Sequence, residues 1–170
     1  MIRFCSVSMS SVSGRKYGES FNINGVKFSF HPAGHVPGSS QIRLEYKGEV
    51  WVFTGDYKTQ KDGISSPFEP IKCNTFITEC TFGLPVFQWE EPKYIHARIN
   101  DWWAKNQSGK ITSLLMGYSL GKIQRLLKHI DPSIGKIYTH GATEQMTKVL
   151  RQFIDFPDTH LITRNTTKKE

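Results

Sequence analysis

Residues 31–58, HPAGHVPGSSQIRLEYKGEVWVFTGDYK, constrain this chain more than any other stretch. Residues 41–46 alternate apolar and polar as a half-buried strand does, Lys47-Gly48 is a turn signal, and residues 50–53 form the apolar run of a buried strand. A strand out and a strand back return the chain to the end it left. His35, in the glycine-rich loop 33–39, and Asp56, behind the second strand, are therefore expected side by side. An imidazole and a carboxylate held together in such turns suit zinc or another divalent ion. The alternative is a turn histidine and a turn aspartate that are merely solvated.

The net charge of the 170 residues is +7, which favours a polyanionic partner, because lysines and arginines that neutralise phosphates drive binding without regard to base sequence. Cys5, Cys73 and Cys80 are odd in number and show no CxxC spacing, which argues against a disulfide framework and against a cysteine zinc site. Cys73 and Cys80 are expected to be small buried thiols. Residues 1–14 are Ser-rich without the apolar run of a signal peptide, and no segment approaches a membrane span. These features read as a cytoplasmic protein with no membrane partner.

Along the chain, Asn24-Gly25 between residues 21–23 and 26–30 predicts a hairpin with a type I′ turn. It delivers the chain to His31, which precedes a proline and is expected to be extended and not a ligand. Residues 59–70 read as a loop, and residues 74–78 as a strand with Glu79 at its end. Residues 92–105 read as a helix whose stripe, Ile95, Ile99, Trp102 and Trp103, is expected to pack in the core, with Gly109 as its stop. A strand over 111–118, a helix from a Ser119 cap to about Ile130, a strand over 137–139 and a helix over 143–153 should follow. That last helix is expected to bury Met146, Val149, Leu150 and Phe153. The alternation argues for an α/β fold with a parallel sheet flanked by helices, whose ligands bind beyond the carboxyl ends of the strands. Ser119 and His140 are placed at such ends. Lys122 and Arg125 lie one helical turn apart near a helix N-terminus, with Gln124 adding donors: either an anion site or solvated cations.

The words AGHVPGS and TGDY resemble the third and fourth metal-binding motifs of the metallo-β-lactamase superfamily. PFEPIKCNTFITECTFGLPVF and YSLGKIQRLL resemble its β-CASP nuclease branch, and the DNA ligase-associated exonucleases of bacteria (mRNA 3′-end processing factor-like proteins) in particular. The resemblance runs from about Tyr17 to Phe153. It implies part of an αββα sandwich over residues 1–90, rich in β-hairpins, followed by part of a Rossmann-like β-CASP sheet over 91–170. It also implies phosphodiester hydrolysis assisted by two divalent ions, zinc or manganese. Asp56 would bridge the ions, His35 would ligate one, and Glu79 would hold a ligand or a catalytic imidazole in place. Ser119, Lys122, Gln124, Arg125 and His140 would lie along the nucleic acid. DNA is the implied substrate, with RNA the alternative, and a DNA ligase and a helicase are implied partners.

A complete relative carries an H-x-H-x-D-H segment upstream and a further histidine downstream, and this sequence has neither. The resemblance is to an internal segment, so the chain alone is expected to be catalytically inactive. Its apolar faces are expected to lack partners, giving poor solubility or a molten product. A catalytically silent nucleic-acid-binding or scaffolding piece is the reading from a different class.

Overall fold

Two tight turns shape the sheet of this computed structural model, which describes residues 13–166. Asn24 and Gly25 take φ of 50° and 81°, and Lys47 and Gly48 take 49° and 83°. Positive φ at both central residues is the type I′ geometry, whose twist matches that of paired strands. These turns fold β1 (Ser20–Ile23) onto β2 (Val26–Pro32) and β3 (Ser40–Tyr46) onto β4 (Glu49–Phe53). β2 and β3 pair antiparallel, Phe30 opposite Ile42 and Pro32 opposite Ser40, leaving loop 33–39 as their connection. β5 (Thr75–Ile77) joins the free edge of β4 in parallel, with Val52 opposite Phe76. The result is a mixed five-stranded sheet in the order β1-β2-β3-β4-β5.

The register sorts the side chains by face, and the sorting inverts the expected burial. Phe30, Ile42, Phe53 and Ile77 share one face with Phe28, Leu44 and Trp51. That apolar face lies open, with Ile42, Trp51, Phe53 and Ile77 all exposed. The opposite face carries Ser29, Gln41 and Val52, all buried beneath the long connection over residues 54–74. Gln41 Nε2 stitches that connection down, donating to the carbonyls of Pro32 at 2.9 Å and Glu69 at 2.7 Å. His31 belongs to the same seam, with Nδ1 2.9 Å from Glu69 Oε1, so its role is structural. Asp62 organises the rest of the connection. Its carboxylate accepts from the Ile64 and Ser65 N–H groups and pairs with Lys58.

Three helices follow among the described residues: α1 (Pro92–Ser108), α2 (Lys122–His129) and α3 (Gly141–Leu150). Pro92 opens α1, where its missing N–H costs nothing. None of the residues of α1 is buried; of the expected core stripe Ile99 and Trp103 are half-buried, and Ile95 and Trp102 are exposed. Gly109 does follow α1, but with φ of −80°, and the left-handed residue is Lys110 at 55°. Residues 111–118 form no strand, because among the described residues no backbone pairs with them; Leu114 is 75% exposed and Met116 82%. The alternating pattern recovers in β6 (Tyr138–Thr139), α3 and β7 (His160–Leu161), where β6 and β7 pair in parallel. Glu144 on α3 ties the two strands, accepting from Thr139 Oγ1 at 2.6 Å and Thr159 Oγ1 at 2.8 Å.

α3 buries Thr143 and Thr147 and not the expected apolar set; Val149 is exposed and Phe153, beyond the helix end, is 80% exposed. Cys80 is exposed and Cys73 half-buried, against the expectation of buried thiols, and Cys5 lies outside the described residues. The Ser-rich start also lies largely outside them. No helix among the described residues is long and apolar enough to cross a membrane.

Candidate functional site

The loop between β2 and β3 is built to bring its tip against the end of β4. Ala33 N–H donates to the Ser39 carbonyl at 3.1 Å, and Ser39 Oγ accepts from the N–H groups of His35 and Val36 at 3.1 and 3.2 Å. Lys58 N–H donates to the Ala33 carbonyl at 2.9 Å, locking the segment after β4 onto this loop. Gly34 sits at the crossing with φ of 74°, and a Cβ there would drive into the Lys58 carbonyl oxygen. Only glycine allows so close an approach of two backbones.

With the loops held this way, His35 Nε2 stands 3.7 Å from Asp56 Oδ2. The separation is beyond a hydrogen bond. It suits two donors to one cation, since metal–nitrogen and metal–oxygen bonds are each about 2.0–2.2 Å. Both side chains are open, 46% and 76% exposed respectively. The donor set thus fits two positions of a metal shell. Among the described residues no third His, Cys, Asp or Glu completes it.

β4 and β5 run parallel, so their carboxyl ends coincide. Thr54 extends the ladder by donating its N–H to the Ile77 carbonyl at 3.1 Å. Asp56 therefore follows one strand end and Glu79 the next. Glu79 accepts from the Thr81 N–H at 2.7 Å. That bond, the Thr81 hydroxyl, the Tyr57 backbone and the nearby His35 hold its carboxyl below the usual range. Glu79 stays ionised beside the His35–Asp56 pair.

α2 reaches the same loop from the other side. Gly121, at φ of 87°, packs against Val36, the residue after His35; an added Cβ would meet Val36 Cβ at 3.1 Å. The helix is capped at Gly121 and not at Ser119 as expected. Gln124 Oε1 accepts from the Gly121 N–H at 2.7 Å, while its Nε2 donates to the Ser119 carbonyl at 2.9 Å and to Thr147 Oγ1 at 3.1 Å. Gln124 is fully buried, so its amide is engaged inside the chain and offers nothing to a substrate. This corrects its expected role as a nucleic-acid contact. Lys122 is exposed, its Nζ 5.2 Å from the centre of the Tyr118 ring. Arg125 faces a different space, a cleft also lined by Lys58, His96 and His129. His140 Nδ1 accepts from the Ala142 N–H at 3.3 Å and caps α3. Ser39, Gly34 and the Gly121–Val36 contact were not singled out by sequence; a serine after Pro-Gly is the local signal for the first.

No protein-family model matches the chain. It is 33% identical over 132 residues to a probable DNA ligase of Opitutus terrae, covering 76% of this chain and 13% of that protein. It is 31% identical over 134 residues to endoribonuclease YSH1 of Yarrowia lipolytica, covering 74% of this chain and 15% of the relative. Against RNase aCSPSF2 of Saccharolobus solfataricus the identity is 29% over 154 residues, covering 84% and 30%. The chain thus spans less than a third of the length of each of these relatives. From the glycine-bound His35 loop, the Thr54–Tyr57 turn beside it and these likenesses together, the chain belongs to the β-CASP branch of the metallo-β-lactamase superfamily.

Proposed function

We propose that this chain forms part of a metal-dependent nuclease that hydrolyses phosphodiester bonds in DNA. The observation that carries the reading is the 3.7 Å approach of His35 to Asp56 on loops that Gly34 and Lys58 hold together. In this reading residues 1–90 belong to a metallo-β-lactamase-like αββα layer and residues 91–170 to a Rossmann-like β-CASP layer. In a complete site His35 and Asp56 would be among the ligands of two divalent ions, zinc or manganese, which would supply a Lewis acid for the phosphoryl oxygens and activate a water. Glu79, kept ionised by Thr81, orients a neighbouring ligand or imidazole through its charge. Lys122, with the backbone at Ser119, holds a strand phosphate, while Arg125 and His140 contact the strand further along. A ligase and a helicase are the partners that fit a DNA-repair setting.

A shell of two donors is short of the three protein ligands that a catalytic ion normally takes. The chain by itself is therefore a binding piece, inactive until the remaining ligands are supplied. The second reading, an RNA 3′-end processing nuclease, is favoured by relatives named as endoribonuclease or RNase.

Manganese and zinc titration by calorimetry, followed by binding and cleavage of matched single-stranded DNA and RNA, tests the proposal. We expect weak metal binding that Asp56→Ala abolishes, salt-dependent binding of the strand and no cleavage. Metal affinity unchanged in Asp56→Ala would sink the site, and tighter, metal-stimulated binding of RNA would move the substrate to RNA. Robust cleavage lost in Asp56→Ala would refute only the inactivity of the isolated chain.

A further inference from the structure

A second cleft of about 260 Å³ opens between the loop over residues 58–63, the start of α1 and the outer face of α2. It is smaller than the roughly 300–1,000 Å³ typical of sites for extended organic ligands, so it suits a compact ion. Its charged lining is almost wholly cationic: Lys58, Lys61, Lys93, Arg125 and the imidazoles of His96 and His129. Asp62 is the single carboxylate in the lining, and its charge is spent on Lys58 and on the N–H groups of Ile64 and Ser65. Lys93 is paired at the surface with Glu91 at 2.7 Å. Lys61 and Arg125 have no carboxylate partner among the described residues.

The two histidines decide what the cleft can hold. Their rings stack, centroids 4.1 Å apart and planes within 10°. A metal bound in the plane of one ring would lie far out of the plane of the other, so this pair cannot chelate a single ion at about 2.0–2.1 Å. His129 Nε2 lies 3.3 Å from the Asp62 carbonyl oxygen. A carbonyl only accepts, so a hydrogen bond here puts the proton on Nε2 and leaves Nδ1 as the unprotonated nitrogen of the neutral ring. Burial, then the neighbouring His129 and Arg125, push His96 below its ordinary range.

We propose that this cleft is a phosphate site, in which Arg125 grips the oxyanion and the stacked imidazoles of His96 and His129 donate to it. The ligand is either free phosphate or a phosphate of a nucleic-acid strand crossing from the His35 side. The strand alternative rests on the nucleic-acid reading above, with which it shares Arg125, whereas the free-phosphate alternative rests on the cleft. The site is read without metal or cleavage, so it can fail while the nuclease reading stands, and the reverse.

The test follows the ring resonances of His96 and His129 by NMR in the full chain. One arm adds inorganic phosphate, a second adds a single-stranded oligodeoxynucleotide, and a third adds chloride at matched ionic strength. Saturable shifts of the ring resonances of both histidines are expected with phosphate and not with chloride. Arg125→Gln should weaken that response about tenfold, the loss of one charge-assisted contact, while Arg43→Gln, on the sheet and paired with Glu45, should leave it unchanged. His96→Gln serves as a second variant, read through the His129 resonance, should Arg125→Gln not fold. A response at lower concentration with the oligonucleotide assigns the site to a strand phosphate; a response to phosphate alone assigns it to the free ion. Absence of a saturable shift in both the phosphate and oligonucleotide arms, an equal shift with chloride, or a full response in folded Arg125→Gln overturns the proposal.

Discussion

Gly34→Ala tests whether the approach of two loops, and not merely their composition, makes the His35–Asp56 pair. At φ of 74° an L-residue costs about 1–2 kcal/mol in any surroundings. Here the new methyl would also collide with the Lys58 carbonyl oxygen and crowd Phe68 N at 3.1 Å and the Lys58 carbonyl carbon at 3.3 Å. Relief requires the segment after β4 to retreat, at an overpacking cost of about 1–3 kcal/mol. The Lys58–Ala33 hydrogen bond of 2.9 Å is then lost, about 1 kcal/mol more. The total is about 3–6 kcal/mol, and Asp56 moves away from His35. Gly38→Ala is the internal control, because Gly38 has φ of 84° in the same loop but open space where a Cβ would stand. It should lose only the backbone part, about 1–2 kcal/mol. Urea unfolding gives the stabilities, and manganese titration by calorimetry gives the integrity of the pair. Equal destabilisation by the two substitutions, or a Gly34→Ala protein with undiminished metal affinity, would refute the account of the crossing.

Gln124→Leu should cost about 2–4 kcal/mol in urea unfolding, since it strands the buried Gly121 N–H and removes the link to Thr147; a loss under 1 kcal/mol would return Gln124 to the surface role. Gly121→Ala should be destabilising and partly rescued by Val36→Ala, which removes the methyls it meets; strictly additive effects would deny the contact. His96 is held below its ordinary value of 6.5, so the unfolded chain binds the proton first as the pH drops. Stability is therefore full above that value and declines as pH falls through the lowered one, and His96→Gln should flatten thermal midpoints measured between pH about 7 and about 5. Asp62 and Glu144 are also held low, Asp62 by Lys58 and backbone N–H groups that outweigh its burial, Glu144 chiefly by Thr139. Their contributions disappear only at still lower pH, below the carboxylate range, which keeps the two windows apart.

What could be read from the sequence was whatever short-range chemistry decides. Asn24-Gly25 and Lys47-Gly48 demand positive φ, and the hairpins they close, with the His35–Asp56 approach, follow from the turns and the strand lengths. Pro92 likewise fixes the start of α1. Residues 111–118 show the other side. Their apolar run is sound strand chemistry, but a strand exists only with a ladder partner, and none of the described backbone supplies one. Gln124 looked like a surface donor because it stands between two cations' helical positions. Its fate was set by Thr147, 23 residues away, which no local pattern announces. The open apolar face of the sheet has the same origin, since alternation tells which side chains share a face and not which face is covered.

The glycines carry this distinction into function. Gly34 and Gly121 both have positive φ, but so do Gly18, Gly25 and Gly48, which have only open space around them. Those three serve turns; the first two serve contacts between distant segments, Gly34 with Lys58 and Gly121 with Val36. Both contacts converge on the residues flanking His35. One brings in the segment that carries Asp56 and the other the helix that carries Lys122. The donor pair and the cationic helix end therefore share a single loop as their anchor. Lys58, whose backbone meets Gly34 and whose ammonium binds Asp62, joins that anchor to the phosphate cleft. A change in the loop after β2 should consequently be felt at both places, whereas a change within the cleft can leave the His35–Asp56 approach intact.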